Sequence, residues 1–475
     1  MKKILFMTLL CVSTIAFAQK SKKAERPNVL LLMTDEHSPQ VLGSYGDEII
    51  TPNLDALAGD GIKFTSAYCQ NPVCVPSRVS LLTGRMASHL KVFGNSNILA
   101  ASTYTMADAF SQAGYNTEWV GKEHWLTPGY ELGFGRLNEE RNIEAKTRSK
   151  EEDVFQNEVG RSPQNATIST FDKKNSGDYV TAEYAVKFLK QQKKSKNPFF
   201  LGVSFVRPHF PYEVQQEFYD LYKGKLKNPE VTKAMIANLS TTSQKEREQY
   251  KLDNMTEEQI QKAREIYYGM VTYVDEMIGL VLDELDKQGL RENTIILYTS
   301  DHGDLIGEHG LWYKNSFYEG SVGVPFIWSY PKALPTNKTI TTPVMNMDIF
   351  PTLAEMCNIS IPQNLGGSSM VSLMKGKDKG KNRVAISENY RRGAGAFMVR
   401  KGNWKYCWYE DSKAQLFNLN KDPKELINLI ANPEYANVVK ELNAIAMENY
   451  IKKSETPQKK KTDKKKTKKK KTKKD

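Results

Sequence analysis

Four short and almost uninterrupted apolar runs limit most strongly the folds that are open to this chain. Each is rich in β-branched and aromatic residues or leucine, and they cover residues 28–34, 199–205, 294–299 and 324–328. A strand without polar positions must be covered on both faces, which is typical of a parallel sheet between layers of helices. Helical patterns lie between the runs. The sequence therefore predicts an α/β fold with a large, mixed, mostly parallel sheet sandwiched by helices.

Two helical patterns and two polar insertions organise the rest of this large domain. The clearest helical period covers residues 257–287 and begins with a capping-box pattern. A second helix fits residues 179–190. The segments 141–176 and 223–254 are polar, and we expect them to be irregular insertions over the sheet edge, where substrate specificity often resides.

A change of composition marks the end of the large domain. The Gly- and Lys-rich stretch KGKDKGKN separates it from short strand patterns at 396–400 and 404–408 and from a helical pattern at 433–449. These patterns predict a large α/β domain over residues 26–375. They also predict a smaller C-terminal α+β domain over residues 376–451.

The N-terminus has the order of features of a secretory signal peptide. Lys2 and Lys3 precede an apolar stretch that ends at Ala-Phe-Ala, so residues 1–18 are predicted to be removed. The apolar stretch is shorter than the roughly 20 residues of a membrane span, and no other stretch of the chain is longer and equally apolar. We therefore expect an exported protein, periplasmic or secreted, without a membrane span.

The C-terminus explains the basic character of the chain. Residues 452–475 contain 14 Lys and 3 acidic residues, and such a block of like charges is predicted to be a disordered tail. The sequence pI of about 9.1 therefore reflects the tail and does not indicate nucleic-acid binding. The four cysteines outside the predicted leader are too few for a disulfide scaffold.

Two acidic clusters directly follow predicted strands. Asp35 and Glu36 come after the first strand, and Asp301 and His302 come after a later one. Ligands bind at the carboxyl edge of open α/β sheets, and carboxylates that meet there repel one another unless a cation lies between them. Oxygen ligands favour Ca²⁺ or Mg²⁺, and a histidine ligand leaves Mn²⁺ open. These four residues are therefore candidate metal ligands.

A third segment places a cysteine where anions are stabilised. In Cys74-Val75-Pro76-Ser77-Arg78, the proline suits the first turn of a helix, and a glycine seven residues after Ser77 suits its end. The helix dipole and free N–H groups at this terminus favour negative charge. A thiolate at Cys74 would be activated there, with Arg78 as a fixed positive charge one turn away.

The run from Cys74 to Arg85 resembles the signature of the type I sulfatases, C-x-P-S-R followed by L-L-T-G-R. That family belongs to the alkaline phosphatase superfamily, and the Asp-His pair at 301–302 resembles its choline-sulfatase-like branch. The resemblance implies that a maturation enzyme converts Cys74 to formylglycine, whose hydrate is the nucleophile. It also implies an alkaline-phosphatase-like sheet and a divalent metal.

Further segments match the family in its order, and the resemblance assigns roles to them. The metal would be bound by Asp35, Glu36, Asp301, His302 and residue 74. At position 36 the family more commonly has a second Asp. The catalytic positions implied are Cys74, Arg78, Lys122, His124, His209 and Lys314.

Proton transfers can be assigned among these groups. We expect His209 to protonate the leaving oxygen with help from Lys314, and Asp301 to take the proton of the nucleophile. His124 would take a proton when sulfate is released. Positive charge around the sulfate oxygens would come from Lys122, Lys314, His209, Arg78 and the metal.

The substrate predicted from the sequence is a sulfate ester on a carbohydrate, either a glycosaminoglycan or another sulfated glycan. Export, the polar insertions and aromatic residues suited to sugar rings favour it, namely Trp125, Trp312 and Tyr313. Candidate substrate contacts are Asn95, Arg207, His309 and Asn315. The alternatives are a phosphodiester or phosphonate monoester hydrolase, a choline sulfatase, and a non-catalytic glycan-binding protein.

Overall fold

The computed structural model describes residues 26–125, 127–390 and 393–450. The predicted signal peptide, residues 1–18, and the predicted Lys-rich tail, residues 452–475, lie outside the described residues. Of the helices in the described ranges, none combines the length and the apolar character that crossing a membrane requires.

The strands of the described residues form one large sheet and three smaller ones. In chain order they are β1 Asn28–Asp35, β2 Ile62–Phe64, β3 Ala67–Tyr68, β4 Asn116–Gly121, β5 Thr167–Ser169, β6 Phe199–Pro208, β7 Glu213–Gln215, β8 Thr294–Ser300, β9 Phe326–Ser329, β10 Lys338–Ile340, β11 Val344–Met345, β12 Val384–Asn389, β13 Ala396–Lys401, β14 Trp404–Tyr409 and β15 Gln415–Asn418.

The large sheet has the strand order β10-β2-β9-β8-β1-β6-β4. Neighbouring strands run parallel except on both sides of β9, which is antiparallel to β2 and to β8. This mixed, mostly parallel sheet confirms the predicted fold class. All four predicted strands are present, and β6 extends to Pro208, three residues further than its apolar run.

The apolar runs are explained by the two faces of the sheet. Val29, Leu31 and Met33 of β1 pack into one hydrophobic cluster, while Leu30 and Leu32 pack into the other. Successive side chains of a strand point to opposite faces, so burial on both faces removes the usual alternation of polar and apolar residues.

The helices of the described residues cover both faces of this sheet. In chain order they are α1 Pro52–Gly59, α2 Cys74–Thr83, α3 Met106–Gln112, α4 Leu137–Arg148, α5 Lys150–Val159, α6 Gly177–Gln192, α7 Gln216–Asp220, α8 Lys233–Ala237, α9 Thr241–Gln249, α10 Glu257–Lys287, α11 Glu319–Val322, α12 Ile349–Met356, α13 Val371–Met374 and α14 Ala436–Asn449. The predicted helix over 257–287 is confirmed, with the capping box of Thr256 and Gln259 formed in both directions.

The two polar insertions differ from the prediction, because both contain helices. Residues 141–176 hold most of α4 and all of α5, and residues 223–254 hold α8 and α9. Their Glu, Lys, Arg and Gln residues favour helices, so a polar composition without an apolar stripe concealed the helical propensity.

The C-terminal part has the predicted α+β character. Strands β12 to β15 form an antiparallel sheet in sequential order, and α14 packs on β13 and β14. This subdomain shares one hydrophobic cluster with the large domain, to which Phe397, Val399 and Leu442 contribute alongside Val79 and Phe350.

Asp275 on α10 fixes the N-terminus of α1. Its carboxylate accepts hydrogen bonds from the backbone N–H groups of Asn53 and Leu54, at 3.1 and 2.8 Å, and from the Asn53 amide at 2.9 Å. This contact gives the segment Thr51 to Asp55 a structural role. Asp275 provides acceptors that a side chain at the N-terminus of α1 would otherwise supply.

The Asp275→Ala variant is expected to lower the free energy of unfolding by about 2–3 kcal/mol, because it leaves buried donors without an acceptor. Urea denaturation would measure the change. Asp283→Ala serves as the matched control, since Asp283 is exposed on the same helix and its loss is expected to cost less than about 0.5 kcal/mol. Equal losses for the two variants would contradict this role of Asp275.

Candidate active site

The candidate site lies where the carboxyl ends of four neighbouring strands meet. Asp35 ends β1, Asp301 follows β8, and Lys122 follows β4. Between β1 and β4 runs β6, which is followed by His209. Segments that are far apart in sequence therefore supply side chains to one edge of the sheet, as expected for an open α/β sheet.

Helix α2 presents Cys74 at its first position. The preceding residue, Val73, is extended and supplies no side-chain cap, whereas the Asn95 side-chain oxygen accepts a hydrogen bond from the Val75 N–H at 3.0 Å. Gly84 ends the helix in the left-handed conformation, with φ +65°. All ten residues of α2 are buried, so the helix and its N-terminus are held rigidly in the core.

The Cys74 thiol is surrounded by cationic and hydrogen-bonding groups. Its sulfur lies 3.1 Å from the Lys314 Nζ, 3.3 Å from the His302 Nε2 and 3.8 Å from an Asp35 oxygen. Burial would raise the pKa of the thiol, but Lys314, Lys122 and His302 together hold it well below its ordinary value. A negative charge at position 74 is therefore strongly stabilised.

Arg78 joins the two aspartates of the site. Its Nη2 bonds an Asp35 oxygen at 3.0 Å, and its Nε bonds an Asp301 oxygen at 2.7 Å. Its Nη1 donates to the Lys122 carbonyl and to the Ser204 hydroxyl, both at 2.9 Å. Because Arg78 is 1 % exposed and donates four hydrogen bonds to protein groups, it supports the site from below.

Asp35 and Asp301 respond differently to the same burial. Burial would raise the pKa of Asp35, yet Lys122, His209 and Arg78 hold it well below its usual range, and Lys122 forms a direct ion pair with it. The pKa of Asp301 is raised, first by burial and then by the nearby Asp35 charge. The two carboxylates therefore repel each other despite the arginine between them.

Glu36 faces Lys314 and His209, which were predicted to be catalytic. One of its oxygens lies 3.2 Å from the Lys314 Nζ and 3.4 Å from the His209 Nε2. Burial raises the pKa of Glu36 to about 8. Its other oxygen is buried without a hydrogen-bond partner among the described residues, so one lone-pair site remains for a further ligand.

His209 and Lys314 hold protons unequally. Burial and the two lysine charges lower the pKa of His209 to about 4. The pKa of Lys314 is raised, because its carboxylate and thiol neighbours outweigh burial. The charges therefore favour Lys314 over His209 as the group that holds a proton near neutral pH.

The site has the donor set of a divalent cation. One ligand atom from each of Asp35, Cys74, Asp301 and His302 lies within 4.8 Å of the others. Two mutually repelling carboxylates and an imidazole fit a hard or borderline cation. Burial alone would lower the pKa of His302, but the neighbouring Asp301 charge raises it to about 9. His302 therefore holds a proton near neutral pH, and metal binding there would release it. Glu36 instead groups with Asp35 and His209.

His124 completes the proposed proton-handling groups. It donates to the Cys74 sulfur and contributes to the low pKa of that thiol. Its Nδ1 is buried without a hydrogen-bond partner in the described part of the chain, and its backbone has a φ of +55°. Every catalytic residue predicted from the sequence thus lies at this edge of the sheet: Cys74, Arg78, Lys122, His124, His209 and Lys314.

Two of the four predicted substrate contacts, Arg207 and Asn95, have partners within the protein. Arg207 forms buried ion pairs with Glu152 at 2.8 Å, with Asp178 at 3.4 Å and with Glu213, so its charge is neutralised inside the protein. Asn95 caps α2 through its side-chain oxygen. The ion pairs leave no free charge at Arg207, whereas the cap engages only the oxygen of the exposed Asn95, whose substrate contact stays a prediction.

The other two predicted contacts lie in the loop between β8 and α11. His309 stacks on Tyr318 with ring centroids 3.8 Å apart, and it lines a separate cavity of about 290 Å³ beside the C-terminal subdomain. Asn315 is fixed through its backbone, since its N–H donates to the Pro72 carbonyl at 3.1 Å and its carbonyl accepts from Asn389 at 2.9 Å.

The three aromatic residues proposed to receive sugar rings are buried. Trp125, Trp312 and Tyr313 are at most 4 % exposed, and each packs against other aromatic rings in the core. The interpretation of these residues as sugar platforms was therefore wrong. Their role is to hold the loops that carry the site.

Sequence reasoning missed two serines that orient the site. Ser204 accepts a hydrogen bond from Arg78, and the Ser77 hydroxyl donates to the Asp301 carbonyl at 2.5 Å. Ser204 is a polar residue within the apolar run of β6, and this isolated polarity was a usable signal. Ser77 belongs to the cysteine-containing signature, but nothing in one sequence tells which group it contacts.

Comparison with known proteins agrees with this geometry. The Sulfatase family profile matches residues 27–359, and the profile of the N-sulphoglucosamine sulphohydrolase C-terminal region matches residues 307–453. Similar solved structures include the phosphonate monoester hydrolase of Agrobacterium radiobacter, with a TM-score of 0.75, 24% identity and coverage of 89% of this chain and 95% of that one. A protein in complex with its substrate D-glucosamine-2-N,6-O-disulfate has a TM-score of 0.72, 24% identity and coverage of 89% and 97%. These likenesses show the fold.

Three relatives resemble the chain over most of its length. The choline-sulfatase of Rhizobium meliloti is 31% identical over 440 residues, which cover 86% of this chain and 83% of the relative. The arylsulfatase of Clostridium perfringens is 32% identical, covering 86% and 91%. The ulvan-active sulfatase of Formosa agariphila is 30% identical, covering 93% and 84%. The chain therefore belongs to the type I sulfatase family of the alkaline phosphatase superfamily and is a sulfuric ester hydrolase.

Proposed function

We propose that this protein hydrolyses a sulfate ester on a carbohydrate and releases inorganic sulfate. The nucleophile is residue 74 after its conversion from cysteine to formylglycine, and a divalent cation, Ca²⁺ in the first place, assists. The observation that carries the proposal is the position of Cys74. It begins a buried helix and contacts Lys314 and His302 directly, and its charge is further stabilised by Lys122.

The residues of the chain divide the work around the ester. Lys122 and Lys314 supply positive charge where the sulfate oxygens would lie, and such preorganised groups contribute about 3–4 kcal/mol per removed donor. Lys314 and His209 face residue 74 and Glu36 and are placed to give a proton to the leaving oxygen. His124, which contacts residue 74 from another segment, accepts the proton that is lost when sulfate leaves.

Asp35, Asp301, His302 and residue 74 would hold the cation. When bound, it would lower the pKa of an oxygen nucleophile and withdraw charge from the sulfate oxygens. Arg78 keeps Asp35 and Asp301 apart and oriented, through bonds of 3.0 and 2.7 Å. On hydration, the aldehyde of formylglycine supplies two hydroxyls. One attacks the sulfur as the nucleophile; the other later loses its proton and reforms the aldehyde as the C–O bond to sulfate breaks.

A carbohydrate substrate is supported by the relatives. One is named for its activity on ulvan, and a structure of the same fold contains a sulfated glucosamine. The choline-sulfatase relative keeps a small substrate open, and the phosphonate monoester hydrolase with this fold keeps phosphorus esters open. The test therefore has to compare all three classes of substrate.

The decisive experiment measures sulfate release from a panel of defined sulfated mono- and oligosaccharides and from choline sulfate, and the release of the alcohol from a phosphonate monoester. We expect the highest kcat/KM for one sulfated sugar, with no turnover by the Cys74→Ala variant. A higher kcat/KM for choline sulfate or for the phosphonate would overturn the carbohydrate assignment. Binding of glycans without any turnover by the mature protein would indicate a non-catalytic binding protein.

Maturation and export form part of the same proposal. We propose that residues 1–18 direct the chain to the periplasm or out of the cell, and that a maturation enzyme acts on Cys74. Mass spectrometry of the protein from its own host would show a chain that begins after Ala18 and a residue 74 with the mass of formylglycine or its hydrate. A full-length chain with an unmodified thiol would contradict both steps.

Removal of the metal is expected to lower the stability as well as the activity of the protein. A ligand at 100 times its Kd stabilises a folded protein by about 2.7 kcal/mol, so Ca²⁺ added after chelation should raise the Tm. The matched control is Asp301→Asn, which keeps the shape of the side chain but removes one charged ligand. An identical Tm response of the two proteins to Ca²⁺ would contradict the site.

A further inference from the structure

The carboxylate of Glu319 joins three segments of the chain. Glu319 begins α11, five residues after Lys314, and one of its oxygens accepts a hydrogen bond from the Tyr68 hydroxyl at 3.1 Å. Tyr68 ends β3, in the segment that leads to Cys74. The other oxygen of Glu319 lies 2.7 Å from the Nζ of Lys405, which belongs to β14 of the C-terminal subdomain. The two sides of the active site and the subdomain thus meet at one side chain.

Lys405 is the cation that holds this junction together. Its side chain is 0 % exposed and also lies 2.7 Å from Glu425, whose second oxygen accepts a hydrogen bond from the Glu319 N–H at 2.7 Å. Burial opposes the charge of Lys405, but the two carboxylates raise its pKa. Without this cation, the partly buried Glu319 and the buried Glu425 would face each other as like charges.

A second contact ties the subdomain to the same loop. Asn389, at the end of β12, donates to the carbonyl of Asn315 at 2.9 Å, and the N–H of Asn315 donates to the Pro72 carbonyl at 3.1 Å. The residue directly after Lys314 is therefore held between the Cys74 segment and the C-terminal subdomain. Both ends of the stretch from Lys314 to Glu319 depend on subdomain residues.

We propose that Lys405 is a positioning residue for the reaction, which acts through Glu319 to hold Lys314 against residue 74. The inference rests on the proposed function, in which Lys314 contacts the reacting group. It gives the C-terminal subdomain a role inside the catalytic machinery, although none of its described residues contacts Cys74 in the hydrogen bonds of the structure. A displacement of Lys314 by about 1 Å is enough to cost about 100-fold in rate.

The test compares Lys405→Met with Arg383→Met. Arg383 is the matched control, because it also bonds a buried carboxylate across the subdomain boundary, that of Asp348 at 2.7 Å, but it has no bond to the Lys314 segment. The kcat and KM of each variant are measured for aryl sulfates with leaving groups of different pKa, at a temperature well below its Tm.

We expect Lys405→Met to lower kcat by about 10- to 100-fold, with KM changed less than about twofold, since the misplaced group acts in the transition state. The loss should be largest for poor leaving groups, which need the proton of Lys314 most. Arg383→Met should keep the wild-type kcat. A wild-type kcat in folded Lys405→Met, or the same loss in Arg383→Met, would overturn the proposal.

Tyr68→Phe keeps the test decisive if Lys405→Met does not fold. It retains the aromatic ring and removes the hydroxyl bond to Glu319 together with the bond that the hydroxyl accepts from the Arg400 Nε at 3.1 Å, and we expect about a three- to tenfold loss of kcat. A wild-type kcat in Tyr68→Phe would then overturn the proposal. The wild-type protein shows separately whether the proposed function fails. If it hydrolyses a phosphorus ester and not sulfate esters, the proposed function is wrong, and the same variants can still be compared on the phosphorus ester.

Discussion

Replacing Cys74 with alanine is expected to reduce sulfate ester hydrolysis by about 10⁴- to 10⁶-fold, the range seen when an enzyme loses its nucleophile. The thiol is the precursor of the attacking group, and Lys314 and His302 lie 3.1 and 3.3 Å from its sulfur. The other charges of the site remain in place, so substrate binding should persist. Sulfate release would be followed at high enzyme concentration, with binding measured separately by calorimetry.

The Cys74→Ser variant separates attack from release. A serine hydroxyl can attack the ester but lacks the second hydroxyl of an aldehyde hydrate, so the sulfated enzyme has no route to expel sulfate. We expect no more than one turnover per site, with the added sulfonate visible in the mass of the protein. Continuous turnover by a chain whose residue 74 is confirmed as serine would contradict the assigned mechanism, as would full activity of Cys74→Ala.

The second large effect is expected at Arg78. This side chain is 1 % exposed and neutralises Asp35 and Asp301 at the same time. Removing one partner of a buried ion pair typically costs about 3–5 kcal/mol, so Arg78→Ala is expected to fold poorly. Arg78→Lys keeps the charge, but a single ammonium group cannot reproduce the fork of bonds to two carboxylates. We expect kcat/KM of Arg78→Lys to fall by about 10²- to 10³-fold.

The control for Arg78→Lys is present in the same signature. Arg85 follows α2 and bonds Asn364 at the surface at 3.3 Å. Arg85→Lys is therefore expected to change stability by less than about 0.5 kcal/mol and to keep its activity. Thermal unfolding and steady-state kinetics of both variants test the contrast. Similar kinetic losses in the two variants would show that both arginines of the signature affect activity only by stabilising the fold.

The strands and the long helix could be predicted because their signals are local. The apolar runs identified β1, β6, β8 and β9 to within a few residues, and the pattern over residues 257–287 gave α10 with its cap. Burial on both faces leaves a composition that is visible in any short window. The helices α4 and α5 were missed because they contain few apolar residues and are strongly polar on average.

The sequence predicted which residues belong to the site, but it did not predict which groups they contact. The order of the motifs pointed to Cys74, Lys122, His209 and Lys314, and strand ends of a parallel sheet bring such segments together. The partners were decided by packing. The sequence suggested Arg207 as a substrate contact, whereas three buried carboxylates neutralise it.

The sequence by itself determined the class of fold, the family and the identity of the groups at the carboxyl edge of the sheet, because these depend on local composition and on short motifs. Only the tertiary structure decided which groups touch. It placed Arg78 between Asp35 and Asp301, and it placed Lys405 of the C-terminal subdomain against Glu319. Such contacts join residues from 43 to 223 positions apart, so they depend on how distant elements pack and leave no pattern in any single segment.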